Sequence, residues 1–184
     1  SLVGSEMCIR DRGNTDPKKN AARVLKAYSL YLERSSVKRP LLIADLKEEY
    51  INNLLQQEGI TKVKSHLYYP GYISNKDLAT LYNAAFVFLY PSLRESFGIP
   101  MIEAMACGTP IIIGDTSAMP EVAGPDALTV DPYKAEEISE AILRLETDNE
   151  LYQKQKEYGL IRANLFSWRE TAGKLIELYQ SLQP

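Results

Sequence analysis

At 184 residues and 20.7 kDa the chain suits one domain with a sizeable core. A formal net charge of -3 with no long Lys/Arg run argues against a nucleic-acid partner, and no apolar run approaches the ~20 residues of a membrane span. Two cysteines far apart, Cys8 and Cys107, make no disulfide framework, and a single histidine leaves no metal-ligand cluster, so a reducing cytoplasmic setting is the expectation.

In chain order, residues 1–12 (SLVGSEMCIRDR) neither alternate nor keep helical spacing and end on Arg-Asp-Arg where a buried strand would be expected. They resemble a translated sequencing-adapter tail and are expected to lie outside the domain, which then spans residues 13–184. Asp16 and Pro17 suit the N-cap and first position of a helix whose buried face carries Ala21, Val24, Leu25, Tyr28, Tyr31 and Leu32. A buried strand at 41–44 leads into a helix at 45–58 that Gly59 ends. A third strand, 66–69, holds His66, which is read as structural; the turn Pro70-Gly71-Tyr72-Ile73 and a helix at 75–83 follow.

The apolar run 86–89 reads as a fully buried parallel strand, and 111–113 as the next. A short helix at 117–122 and a strand at 127–130 come after it. The rest is helical: Ile138, Ala141, Ile142 and Leu145 define one amphipathic face, and Trp168, Ala172, Leu175, Tyr179 and Leu182 another, with Trp168 as a packing anchor.

Between those two buried strands lies YPSLRESFGIPMIEAMACGTP, residues 90–110. Pro100 fits the first position of a helix, with Gly98 and Ile99 at its entrance, and Gly108 before Thr109-Pro110 supplies the stop, leaving roughly two turns, or about 12 Å. Glu103 stands one turn inside and helical side chains lean toward the N-terminus, so Glu103 and Glu95 can face one small volume. The helix entrance also offers unpaired N–H groups and the positive end of the helix dipole. A phosphate cradle beside two acceptors of hydroxyl hydrogen bonds suits a sugar nucleotide.

Glu95-Ser-Phe-Gly-Ile-Pro-Met-Ile-Glu103 resembles the E-x7-E motif of retaining glycosyltransferases with the two-domain GT-B fold, and the following Ala-Met-Ala-Cys-Gly-Thr-Pro is similar to family four of that class. The resemblance runs from about Gly13 to the C-terminus and implies an α/β fold, a Rossmann-like parallel sheet flanked by helices on both faces, as one half of a GT-B enzyme. It implies hexosyl transfer with retention from a nucleoside-diphosphate sugar to an acceptor hydroxyl, this chain supplying the donor-binding half. Glu103 would hold the ribose and Glu95 the donor sugar. The amides of Ser96, Phe97, Gly98 and Ile99, with Lys19, would hold the diphosphate, leaving no need for a metal or other cofactor.

In the same resemblance Lys18 is the basic neighbour of Lys19, Asn14 stands where many members carry arginine, and Tyr72 and Ile73 border the base, mostly through backbone. Phe166-Ser167-Trp168 is similar to a signature before a final helix that packs toward the partner domain. The implied partner is a missing N-terminal acceptor domain, with which any membrane-peripheral character would also lie; without it the chain is expected to be inactive. Ser96 and Asp45 each replace a glycine usual in the family. The alternative is a nucleotide-sugar-binding or regulatory module without transferase activity.

Overall fold

The structure is a computed structural model that describes residues 7–10 and 15–182. Six parallel strands form one sheet: β1 (Met7–Arg10), β2 (Leu41–Ala44), β3 (Leu67–Gly71), β4 (Ala85–Tyr90), β5 (Ile111–Gly114) and β6 (Leu128–Val130), in the spatial order β3-β2-β1-β4-β5-β6. Every residue of β2, β4 and β5 is buried, as strands covered on both faces must be.

Alternation along those strands builds two cores. Leu41, Ile43, Phe86, Val87, Leu89 and Ile112 pack with α1 (Ala21–Arg34), α2 (Glu48–Gln57) and α6 (Ala135–Thr147). Leu42, Phe88, Tyr90, Ile111 and Ile113 pack with α3 (Asn75–Ala84), α4 (Ile99–Ala106) and α5 (Met119–Ala123), and α7 (Asn149–Ala163) lies along α4. The chain winds from β1 outward to β3, then returns to the other side of β1 at β4. The carboxyl ends of β1 and β4 flank that reversal, where doubly wound sheets open a crevice.

Within the stretch 1–12 that was expected to lie outside the domain, Met7–Arg10 form β1, inside the sheet. Cys8, Ile9 and Arg10 pair with Leu41, Leu42 and Ile43 on one side, and Cys8–Arg10 with Val87, Phe88 and Leu89 on the other. Without them the inner edges of two buried strands would leave N–H and C=O groups unpaired, and backbone pairing is indifferent to the charge of Arg10. Residues 1–6 and 11–14, including Asn14, lie outside the described residues.

Smaller departures have local causes. Asp16 caps a 3-10 turn, Pro17–Lys19, instead of α1 itself, because Asn20 takes a left-handed conformation (φ 59°) that separates the two. Residues Thr61–His66 form a 3-10 helix, so His66 stands before β3 and its ring nitrogen lies 3.1 Å from the Ser65 hydroxyl. The last helix, α8 (Trp168–Ser181), has no buried residue. Trp168 is 80% exposed and anchors nothing among the described residues.

Candidate functional site

Strand β4 delivers the chain into the loop 91–98, which ends at Gly98 with φ 93°. A Cβ there would stand 2.9 Å from Met101 Cε and 3.3 Å from Tyr90 Cε1, so the backbone both turns left-handed and passes too close for a side chain. Gly98 is the N-cap of α4, Ile99 its first residue and Pro100 its second, one place later than the sequence suggested; Gly108 (φ 70°) follows the helix, as expected.

At this turn the structure brings together two residues singled out from sequence. Lys19 Nζ lies 2.9 Å from Glu95 Oε1, with side chains only 14% and 12% exposed. The ammonium also donates to the Tyr90 hydroxyl at 3.4 Å and stands 5.0 Å from the centre of that ring. Lys18 points elsewhere: it is 47% exposed and pairs with Asp16 at 3.3 Å. The Lys18 amide, donating to Asp16 Oδ1, is the main influence holding that exposed carboxyl below its usual range.

Other loops back this one. The Leu93 amide donates to the Lys18 carbonyl at 2.7 Å. The Glu95 amide donates to Ser117 Oγ at 3.0 Å, and Thr116 Oγ1 donates to the Leu93 carbonyl at 3.2 Å. Asn20, 3% exposed, donates through Nδ2 to the carbonyls of Pro91 (2.9 Å) and Pro132 (2.6 Å). Sequence reasoning missed Tyr90, Asn20 and Ser117. Only Asn20 left a signal, an asparagine between a turn and a helix where the left-handed conformation is tolerated.

Glu103 is exposed on α4 and lines a cavity of about 760 Å³ with Phe97, Ile99, Ile102, Phe166 and Trp168. Glu95 is not part of that lining; its carboxylate is turned to Lys19. Phe97 packs edge-on against Phe166 at 5.8 Å, so only its backbone is left for the α4 entrance, while Ser96 is exposed there. Burial, with the Glu103 carboxylate second, pushes the half-buried Cys107 thiol up.

Tyr72, 78% exposed, lines a separate cavity of about 660 Å³ with Asp45, Lys47, Glu48 and Gly71. Ile73 is 6% exposed and belongs to the core, so its side chain is not presented to a ligand. Asp45 has φ 60°, the left-handed conformation glycine adopts freely, and that accounts for a glycine being usual at this place. Among the described residues no cluster of His, Cys, Asp and Glu could hold a metal, and no helix is long and apolar enough to cross a membrane.

With this geometry in hand, comparison with known proteins is specific. The family described as Glycosyl transferases group 1 matches residues 12–162. The chain is 33% identical over 172 residues to the O-antigen chain mannosyltransferase B of Escherichia coli, covering 92% of this chain and 45% of that protein. Sucrose-phosphate synthase from Thermosynechococcus elongatus superimposes with a TM-score of 0.84 at 26% identity, over 97% of this chain and 46% of that one. The Anabaena protein HepE, solved with UDP and glucose, gives a TM-score of 0.83 at 17% identity, covering 97% and 49%, a likeness of fold. The chain spans less than half the length of the curated relatives it matches. Its sheet order, the turn at Gly98 and the match across most of its length agree: the chain belongs to the glycosyl transferases group 1 family and has the fold of one Rossmann-like half of a GT-B glycosyltransferase.

Proposed function

We propose that this chain binds the donor, a nucleoside-diphosphate hexose, for a hexosyl transfer that retains configuration at the anomeric carbon. The observation that carries the reading is the Lys19–Glu95 pair. An ammonium 14% exposed near the start of a helix is badly placed unless an anion accompanies it, and Lys18 next door remains in solvent. Glu95 supplies that anion in the free chain, and in this reading a diphosphate takes its place at Lys19 beside the α4 amides.

In this reading the amides of residues 96–99 and Lys19 carry the diphosphate and stabilise it as the bond to the anomeric carbon breaks and it leaves with the electron pair. Glu95, released from Lys19 as the diphosphate takes the ammonium, accepts hydrogen bonds from the donor hexose. Glu103 accepts them from the ribose hydroxyls, and the loop bearing Tyr72 and Ile73 borders the base through backbone. Lys18 adds a basic neighbour and Asn14 a neutral hydrogen bond to the diphosphate. The diphosphate charge requires no divalent ion under this scheme, and the acceptor is met by a second GT-B half paired with this one.

Calorimetric titration of the chain with nucleoside diphosphates and the matching diphosphate hexoses tests the proposal. Binding that weakens in Lys19→Ala for every phosphate-bearing ligand, and not for the bare nucleoside, supports it. Equal behaviour of wild type and variant would remove Lys19 from the diphosphate site.

A further inference from the structure

The proposed diphosphate site requires Lys19 and Glu95 to meet across two loops that the sequence places 76 positions apart. Lys19 ends a three-residue 3-10 turn and Glu95 stands in an irregular loop. The side chain of Asn20, which follows Lys19 in the chain and is buried, is used by no step of the proposed chemistry.

Asn20 is 3% exposed and its side chain makes three hydrogen bonds, two of them to other segments of the chain. Its Nδ2 donates to the Pro91 carbonyl at 2.9 Å, at the start of the loop that carries Glu95. The same nitrogen donates to the Pro132 carbonyl at 2.6 Å, in the loop between β6 and α6. Its Oδ1 accepts from Arg23 Nη1 at 3.2 Å. Both carbonyls belong to residues on the carboxyl side of a strand, and the Pro91 peptide is buried.

The backbone adds direction. Asn20 adopts φ 59°, which ends the turn Pro17–Lys19 and starts α1, so the residue before it, Lys19, leaves the turn toward Glu95 instead of continuing along a helix. Asparagine is among the few side-chain-bearing residues that take this conformation at low cost, and it alone of those brings an NH2 group with two donors. Aspartate has no donor and glycine no side chain.

We infer that Asn20 is a positioning residue for the diphosphate site: its amide clamps the Lys19 turn to the loops after β4 and β6 and thereby sets the ammonium of Lys19 against Glu95. The inference rests on the donor-binding reading and adds to it the residue that keeps the site assembled when no ligand is present. Preassembly matters because the cost of ordering a long lysine side chain is then met in folding, not in binding.

The test is a double-mutant cycle with Asn20→Gly and Lys19→Ala, singly and together, titrated calorimetrically with UDP and GDP and, in parallel, with uridine and guanosine. Glycine is chosen because it takes φ 59° without strain. Asn20→Gly is expected to weaken diphosphate binding about tenfold, the scale of a lost charge-assisted contact, and to leave nucleoside binding unchanged. In the Lys19→Ala background the same change should cost little more, because both substitutions remove one function. Additive losses, or equal losses for diphosphate and nucleoside, would make Asn20 a general structural residue and overturn the inference while leaving the Lys19 assignment standing. Failure of the wild-type chain to bind either diphosphate would overturn the donor-binding reading and this inference with it. Should Asn20→Gly melt below the assay temperature, Asn20→Ser, which keeps a hydroxyl donor for one of the two carbonyls, carries the same cycle.

Discussion

Lys19 and Glu95 form an ion pair at 2.9 Å that is largely shielded from solvent, so each is the other's partner before any ligand arrives. Removing one therefore does more than delete a contact. Glu95→Ala frees the ammonium for a diphosphate, so affinity for the nucleoside diphosphate is expected to hold or rise, while affinity for the diphosphate hexose falls about tenfold with the loss of a carboxylate acceptor. Lys19→Ala is expected to weaken both, and wild-type affinity should decline with added salt. Titrations of the two ligands at two ionic strengths distinguish this from a Glu95 that does not touch the hexose, in which Glu95→Ala would leave both affinities unchanged.

Glu103 can be followed through a neighbour. Burial first, and then its carboxylate, raise the Cys107 thiol above its ordinary range. Glu103→Gln removes the second influence, so at fixed pH near neutrality Cys107 should be alkylated faster than in wild type. If Glu103 also holds the ribose, the same substitution weakens binding of both the nucleoside diphosphate and its hexose. Faster alkylation with unchanged binding would leave the electrostatic contact intact and remove Glu103 from the ribose.

Strand β1 gives a stability prediction opposite to the one its composition invites. Deleting residues 1–12 strips the sheet of the strand between β2 and β4 and exposes the pairing edges of Leu41–Ile43 and Val87–Leu89. A clear fall in melting temperature is expected. A chain without residues 1–12 that melts at the wild-type temperature would show that β1 contributes no net stability.

The contrast between β1 and the rest marks what could be read from sequence. The strands at β4 and β5 and the turn at Gly98 were legible because their signals are local: continuous apolar residues, a helix-starting proline, a glycine stop. Membership of β1 was not, since a parallel strand is stabilised by hydrogen bonds to two neighbours distant in sequence and Met-Cys-Ile-Arg carries no period of its own. The same holds at the site. Lys19 and Glu95 were legible through motif resemblance, but the Tyr90 hydroxyl beneath Lys19 sits at the end of an apolar strand, where a tyrosine reads as core. Trp168 stays exposed because no other element among the described residues buries α8.

Alkaline stability follows from the buried end of the sheet. Burial pushes the Cys8 thiol up to about 12 from an ordinary 9.0, and burial likewise raises the hydroxyls of Tyr28 and Tyr31. Each is neutral when folded and free to ionise when unfolded, so its contribution is fully present below the unfolded pKa and is lost as pH rises toward the folded one. Between pH 9.0 and about 12 the Cys8 contribution declines steadily as pH rises. Cys8→Ala should flatten the first part of that decline, below the range where the tyrosines begin to titrate. Denaturant titrations across this window check it; identical slopes in both proteins would mean the thiol ionises in place.

The last expectation concerns turnover. The residues proposed to hold the donor are Lys19, Glu95, the α4 entrance and Glu103, and the chain spans less than half the length of its curated relatives. Orientation of two reactants can supply about 7–11 kcal/mol of a barrier, and a surface that grips one reactant cannot provide it. The chain alone should therefore bind diphosphate hexoses and, with water reaching the anomeric carbon, hydrolyse them slowly, with no dependence on added acceptor. Its exposed α8 face, including Leu175, Ile176 and Tyr179, buries nothing here, so Ile176→Asp should leave the stability of the chain unchanged. Incubation with several nucleoside-diphosphate hexoses and a panel of hydroxyl acceptors reads the outcome directly. Acceptor-dependent product from this chain alone would place an acceptor site on it and require a second binding surface within reach of Glu95.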